Sequence, residues 1–255
     1  MEGLIYEIID NIALVKINRP KALNALNKSI VDELDKVIEE INRNSEIKVL
    51  VIGSIDNFAA GADIKSMLNC NEEEAKKFSF SNTFQKIVDL RIPTIAAIDG
   101  YALGGGLELA LTCDFRIASN TAKMGFPEIN LGIMPGAGGT IRAPRLIGET
   151  KAKELILFGE IIDAERAEKI GLVNIVVNKD MLMDTAMKWA EKLCQKAPVA
   201  LKVAKDTIEA GMSEPKIEYS IKIESQNWAG LFNTYDQKEG MRAFSEKRKP
   251  CYLGK

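Results

Sequence analysis

The chain has 255 residues, 46% hydrophobic and 27% charged, with 34 basic and 36 acidic side chains for a net charge of −2. This is the profile of an ordinary globular protein long enough for one large core; no apolar run nears the ~18 residues of a membrane span, and no basic excess exists to neutralise a nucleic-acid backbone. The absence of histidine rules out Ser-His-Asp and Cys-His catalysis, and the four scattered cysteines (Cys70, Cys113, Cys194, Cys251) form no C-x-x-C pair, so neither a structural metal nor a disulfide framework is expected.

Met1-Glu2-Gly3-Leu4-Ile5 has no basic stretch followed by an apolar one, so the chain reads as cytoplasmic. Two β-branched runs, Leu4 to Ile9 and Ile12 to Ile17, flank the turn pair Asp10-Asn11 and predict a hairpin. Ile30, Leu34, Val37, Ile38 and Ile41 recur at the spacing of an amphipathic helix over 29–41. Val49 to Ile52 and Ile95 to Ile98 read as buried strands, with helical character from Glu72 to Leu90 between them. After Ile98 the order is glycine-rich turn, short apolar helix over 107–113, and a strand from Phe115 to Ala118. Strands followed by a helix recur through the first three-quarters of the chain, which fits repeated strand-strand-helix turns better than one doubly wound sheet. Beyond Asp180 the patterns are helical, over 180–196, 200–210, 219–231 and 236–245. Pro198 marks a helix start, and divides a core of residues 1–197 from a helical region of residues 198–255.

Four features bear on chemistry. Gly104-Gly105-Gly106 opens the helix carrying Glu108; bare backbone N–H groups there make an anion or oxyanion site, or the glycines serve only close helix–strand packing. Glu108 itself is either functional or a partner for free donors at its own helix start. Glu128 lies in the apolar setting Phe126-Pro127-Glu128-Ile129, before a second glycine-rich turn, Met134-Pro135-Gly136-Ala137-Gly138-Gly139; desolvation there would raise its pKa into the range of a general acid–base group. Phe58-Ala59-Ala60-Gly61-Ala62-Asp63-Ile64 is built of small residues that let backbone approach a ligand, or it is a strand-end turn with Asp63 as a helix cap. No G-x-x-x-x-G-K-[ST] occurs and G-x-G-x-x-G is not cleanly matched, which weakens P-loop and nicotinamide-dehydrogenase readings.

Together with Arg19-Pro20-Lys21-Ala22-Leu23-Asn24-Ala25-Leu26, Cys113-Asp114 and Phe244-Ser245-Glu246-Lys247-Arg248, these segments resemble the crotonase, or enoyl-CoA hydratase/isomerase, superfamily, and within it the short-chain 3-hydroxybutyryl-CoA dehydratases of butyrate-forming anaerobes. The resemblance implies an α/β spiral of strand-strand-helix repeats with a C-terminal helical trimerisation region, assembled as a homotrimer or as a hexamer of paired trimers. It implies reversible syn hydration of short-chain 2-enoyl-CoA by a Glu108 and Glu128 pair, without a separate cofactor. The N–H groups of Ala62 and Gly105 would form the oxyanion hole. Ala25, Ala60, Ile64 and Lys65 would line the coenzyme A groove, and Phe244 and Lys247 would reach a neighbouring subunit's coenzyme A. The pair of glutamates is the hydratase arrangement, whereas family isomerases typically keep only the carboxylate at the Glu128 position. Enoyl-CoA isomerase, or another acyl-CoA enzyme of the superfamily, is the nearest alternative, and a non-catalytic or RNA-binding member is disfavoured by the intact glutamates and the charge balance.

Overall fold

The computed structural model describes residues 3–77 and 79–255. Asp10, at φ 51° in the left-handed region that Asp tolerates, turns β1 (Leu4–Ile9) into β2 (Ile12–Ile17) as an antiparallel hairpin. Helix α1 (Lys28–Arg43) starts where Asn27 accepts from the Ile30 N–H at 3.0 Å, and its predicted apolar stripe is buried. Strand β3 (Val49–Ser54) then pairs parallel to β2.

The helix expected over 72–90 is interrupted. After the single turn α2 (Ile64–Met67) come α3 (Glu72–Lys77) and α4 (Ser81–Val88). Asn71 and Glu74 exchange side-chain-to-backbone bonds of 2.9 and 3.0 Å at the start of α3, a reciprocal cap. The Ser79 and Ser81 hydroxyls pair at 2.5 Å ahead of α4, local bonding of a kind that competes with helix continuation.

The chain continues through β4 (Thr94–Ile98), β5 (Tyr101–Leu103), α5 (Gly105–Ala110), β6 (Phe115–Ser119) and β7 (Lys123–Gly125). Next are α6 (Gly139–Ile147), α7 (Glu149–Phe158), β8 (Ile161–Asp163), α8 (Ala164–Lys169) and β9 (Ile175–Val177). Helices α9 (Leu182–Cys194), α10 (Pro198–Ser213), α11 (Ile217–Leu231) and α12 (Tyr235–Ser245) complete it. The large sheet has the order β1-β2-β3-β4-β6-β9, parallel except for the hairpin, and a small sheet has the order β5-β7-β8. Thus β4-β5-α5 and β6-β7-α6 each give one strand to either sheet before a helix, which is the expected strand-strand-helix spiral of an α/β fold.

Both faces of the large sheet are covered, which explains why its strands read as continuous apolar runs. Ile12, Leu14, Val49, Val51, Ile95 and Ala97 pack with Leu182, Ala186 and Ala190 of α9. Their alternating neighbours Ala13, Val15, Leu50, Ile52, Ala96 and Ile98 point into the main core with the inner face of α1. Pro198 stands in the first turn of α10, as expected. Helices α10 and α11 bury none of their residues; α10 is tied to the core by Lys205, which reaches Asp114 at 2.9 Å. No described helix is long and apolar enough to cross a membrane.

Candidate active site

Residues 58–62 are brought to the small sheet by backbone pairing. The N–H groups of Phe58 and Ala59 donate to the carbonyls of Asp99 and Tyr101, Leu103 N–H returns a bond to Ala59, and Leu26 and Ala62 form an isolated parallel bridge. This places Ala62 against the start of α5. A methyl group built on Gly105 would find the Ala62 nitrogen 3.7 Å away, with no closer neighbour. Gly104 N–H is taken by the Gly125 carbonyl, and Asp63 N–H by Leu26. Among the described residues the N–H groups of Ala62 and Gly105 donate to no protein acceptor, although Gly105 is buried, so two adjacent donors face a site where only a ligand or water can accept.

The three glycines divide the two readings of the turn between them. Gly104, at φ 47°, leaves room for Glu128: a methyl there would lie 2.5 Å from its Oε1. A methyl at Gly106 would collide with the Ala59 carbonyl oxygen, so this glycine serves close packing. Gly105 alone keeps its approach open.

Glu108 is only 3% exposed, and its partners are not the donors of its own helix. Its Oε1 accepts from Ala137 N–H and Gly139 N–H, both at 2.7 Å, in the second glycine-rich turn. Burial pushes its pKa up, and those bonds together with the Arg142 charge act in the opposite direction. Glu128 sits on the 3-10 turn Pro127–Leu131, and its buried Oε2 has no partner among the described residues. Burial raises its pKa to about 7, with the nearby Glu108 charge contributing in the same direction. One carboxylate is therefore held by fixed donors, while its neighbour is half-free and poised to exchange a proton near neutrality.

Residues assigned to the groove cluster beside the donors. Asp63 occupies the cap position of α2, yet its side chain makes no capping bond there and instead accepts from Arg19 Nη1 at 2.8 Å. The same Arg19 nitrogen donates to the Ala25 carbonyl at 3.1 Å, and Ala60 N–H donates to the Leu23 carbonyl. Buried Asn24, at φ 57°, bonds the carbonyl of Ile55 at 2.8 Å and that of Asn57 at 2.5 Å, and takes the Arg19 N–H at 2.6 Å. Ala25 and Ala60 thus share one frame with Ala62, while Ile64 and Lys65 stand exposed on α2. Phe244, 87% exposed, and Lys247, also exposed, are apart from this frame. Among the described residues the side-chain bonds of α12 run within residues 234–255, where Glu239 holds Arg248 and Asp236 holds the N–H groups of Leu253 and Gly254. Sequence reasoning missed Arg142, which packs behind the second turn; with Arg145 three residues on, nothing in the sequence set it apart.

Residues 7–255 match the family model for enoyl-CoA hydratase/isomerase. The chain is 45% identical to the short-chain-enoyl-CoA hydratase of Clostridium acetobutylicum, covering 98% of this chain and 97% of that protein. It is 43% identical to the crotonyl-CoA hydratase of Syntrophomonas wolfei, covering 100% of this chain and 99% of the relative. Among solved structures, an enoyl-CoA hydratase from Bacillus anthracis superposes with a TM-score of 0.95 at 38% identity, over 99% of this chain and 100% of the other.

Proposed function

The chain belongs to the enoyl-CoA hydratase/isomerase family, and from that premise we propose that it is a hydro-lyase catalysing reversible syn addition of water to short-chain 2-enoyl-CoA, crotonyl-CoA foremost. The observation that carries this reading is the pairing of two unlike carboxylates, buried Glu108 and half-buried Glu128, beside the two unoccupied donors of Ala62 and Gly105. An isomerase needs one proton-moving carboxylate, whereas the addition of water asks for two.

In this mechanism the thioester oxygen accepts from Ala62 and Gly105 as enolate charge grows on it. Each such donor is worth ~2.7–4 kcal/mol of transition-state stabilisation. Glu108, fixed by two N–H groups, orients the water and takes a proton as its oxygen bonds C3. Glu128 delivers a proton to C2. The active pair therefore carries one proton in total, on Glu128 before hydration and on Glu108 after it, and dehydration runs the same path backwards. Because the net reaction consumes no proton, kcat/KM follows one bell-shaped pH curve in both directions, and its limbs belong to the pair.

Ala25, Ala60, Ile64 and Lys65 line the coenzyme A groove, and Phe244 and Lys247 reach the coenzyme A of a neighbouring subunit. Residues 198–255 form the oligomerisation region of a trimer or a hexamer of paired trimers. Exposed Ile208, Met212, Ile221 and Trp228 on α10 and α11 support that reading, since apolar side chains presented together favour burial in an interface. Light scattering should give three or six subunits, and a fully active monomer would refute the shared site.

The direct test is the absorbance of the enoyl-thioester band with crotonyl-CoA, because hydration removes that conjugation. Rapid loss of the band is expected, with higher kcat/KM than for C8 or longer enoyl-CoAs. No hydration of any 2-enoyl-CoA by folded protein would overturn the proposal, and a rise in efficiency from C4 to C10 would overturn its short-chain part.

A further inference from the structure

Arg142 has no role in the two-glutamate chemistry as described, yet three observations converge on it. Its Nη1 donates to the Ala137 carbonyl at 2.9 Å, and its Nη2 donates to Gln85 Oε1 on α4 at 2.9 Å. Ala137 is the residue whose N–H holds Glu108. The guanidinium also lies against Gly138, at φ 112°, where a side chain would collide with it.

The space behind this turn is not filled by packed side chains. A cavity of ≈ 850 Å³ is bordered there by Ala137, Gly138, Gln85, Arg142 and Glu209. The guanidinium crosses its edge from α6 to α4, so the turn is braced by a hydrogen-bonded strut. Without that strut the Ala137 and Gly139 donors could tilt away from Glu108, whose carboxylate would then lack support in a buried site.

We propose that Arg142 is a positioning residue for the hydration step, fixing the Ala137–Gly139 turn so that its N–H groups hold Glu108 as the carboxylate that receives the proton from water. The inference rests on the proposed hydratase reading. Charges facing Arg142 are Glu108 on α5, Glu209 on α10, Asp89 at the end of α4 and Arg145 on its own helix; Glu108 in turn faces Arg142 and Glu128. Of these, Arg142 is the cation that acts on Glu108, so its removal should make the Glu108 carboxylate harder to keep ionised.

The test compares Arg142→Gln and Arg142→Lys with the wild type on crotonyl-CoA across pH, with folding monitored by thermal melting. Arg142→Gln should lower kcat about ten- to a hundredfold, the scale of a small misplacement of a reacting group, while KM stays within about threefold. The acid limb of its kcat profile should move to higher pH. Arg142→Lys should return that limb toward the wild-type position but recover kcat only in part, because one ammonium cannot span Ala137 and Gln85 together. Unchanged kcat and acid limb in Arg142→Gln, or a rise in KM alone, would overturn the inference while leaving the hydratase reading intact; a wild type inactive on crotonyl-CoA would instead overturn that reading. If Arg142→Gln does not fold, Gln85→Ala removes only the outer anchor. A several-fold fall in kcat with an unmoved acid limb supports the strut, and wild-type kcat rejects it.

Discussion

The two glycine-rich turns of this protein look alike in composition and do opposite things with their backbone donors. In the turn at 104–106 the Gly105 N–H, beside Ala62, is left without an acceptor among the described residues. In the turn at 136–139 the N–H groups of Ala137 and Gly139 are both occupied by Glu108. The first leaves a donor open for the thioester oxygen of the proposed substrate, and the second spends its donors on a carboxylate the protein already contains. Glycine frees a backbone amide, but a nearby carboxylate decides whether that amide remains free. The two glutamates inherit the same contrast, one with an oxygen held by two N–H groups and one with a buried oxygen unpartnered among the described residues.

The largest effect that bears on this contrast comes from removing the charges. Glu108→Gln and Glu128→Gln should each lower kcat by at least ~10²-fold with little change in coenzyme A binding. The double variant should be far less than multiplicatively worse, because the carboxylates act as a unit. Near wild-type hydration after either change would break the assignment. In deuterated water Glu128→Gln should also lose exchange at C2 of a saturated acyl-CoA, wherever the wild type shows it.

A smaller effect separates the glycines of the first turn. Gly105→Ala keeps its N–H and meets only ordinary contacts, the nearest at 3.7 Å, so melting should change little. Its methyl would stand beside the Ala62 nitrogen and the Phe80 ring, crowding a ligand oxygen at the proposed donor pair, and kcat should fall by up to ~10²-fold, approaching loss of one oxyanion donor. Gly106→Ala collides with Ala59 and should cost about 1–3 kcal/mol of stability, as overpacking does. Equal melting temperatures for the two variants would remove the distinction drawn between these positions.

The smallest expected effect is on stability alone. The pKa of Glu128 is raised on folding to about 7, so the folded state holds its proton more tightly than the unfolded chain. That contribution is fully present below the ordinary value of 4.5 and is lost as pH rises through about 7. Glu128→Gln should therefore be more stable than the wild type at pH 8, by on the order of 1–2 kcal/mol after solvent screening of a half-buried group, and nearly equal to it at acid pH. Parallel melting curves across this range would show that the buried carboxylate is better compensated than its unpartnered oxygen suggests.

The sequence by itself determined whatever local bonding controls: the Asp10-Asn11 hairpin, the buried stripe of α1, and the start of α10 at Pro198. It also displayed the ordered motifs that identify the family and single out Glu108 and Glu128. Strands β5, β7 and β8 were not legible, because three residues apiece are too few to show a period and their pairing comes from distant partners. The partners of Glu108 were hidden for the same reason, since they lie 29 and 31 residues along the chain. The choice among the three glycines depended on whether Ala59, Ala62 or Glu128 lay opposite each one. Arg142 was equally silent, for its guanidinium gains meaning only where α4, α6 and the second turn meet. Local propensity writes elements into a sequence, but a carboxylate's partners, burial and proton affinity are set by groups that only folding brings within reach.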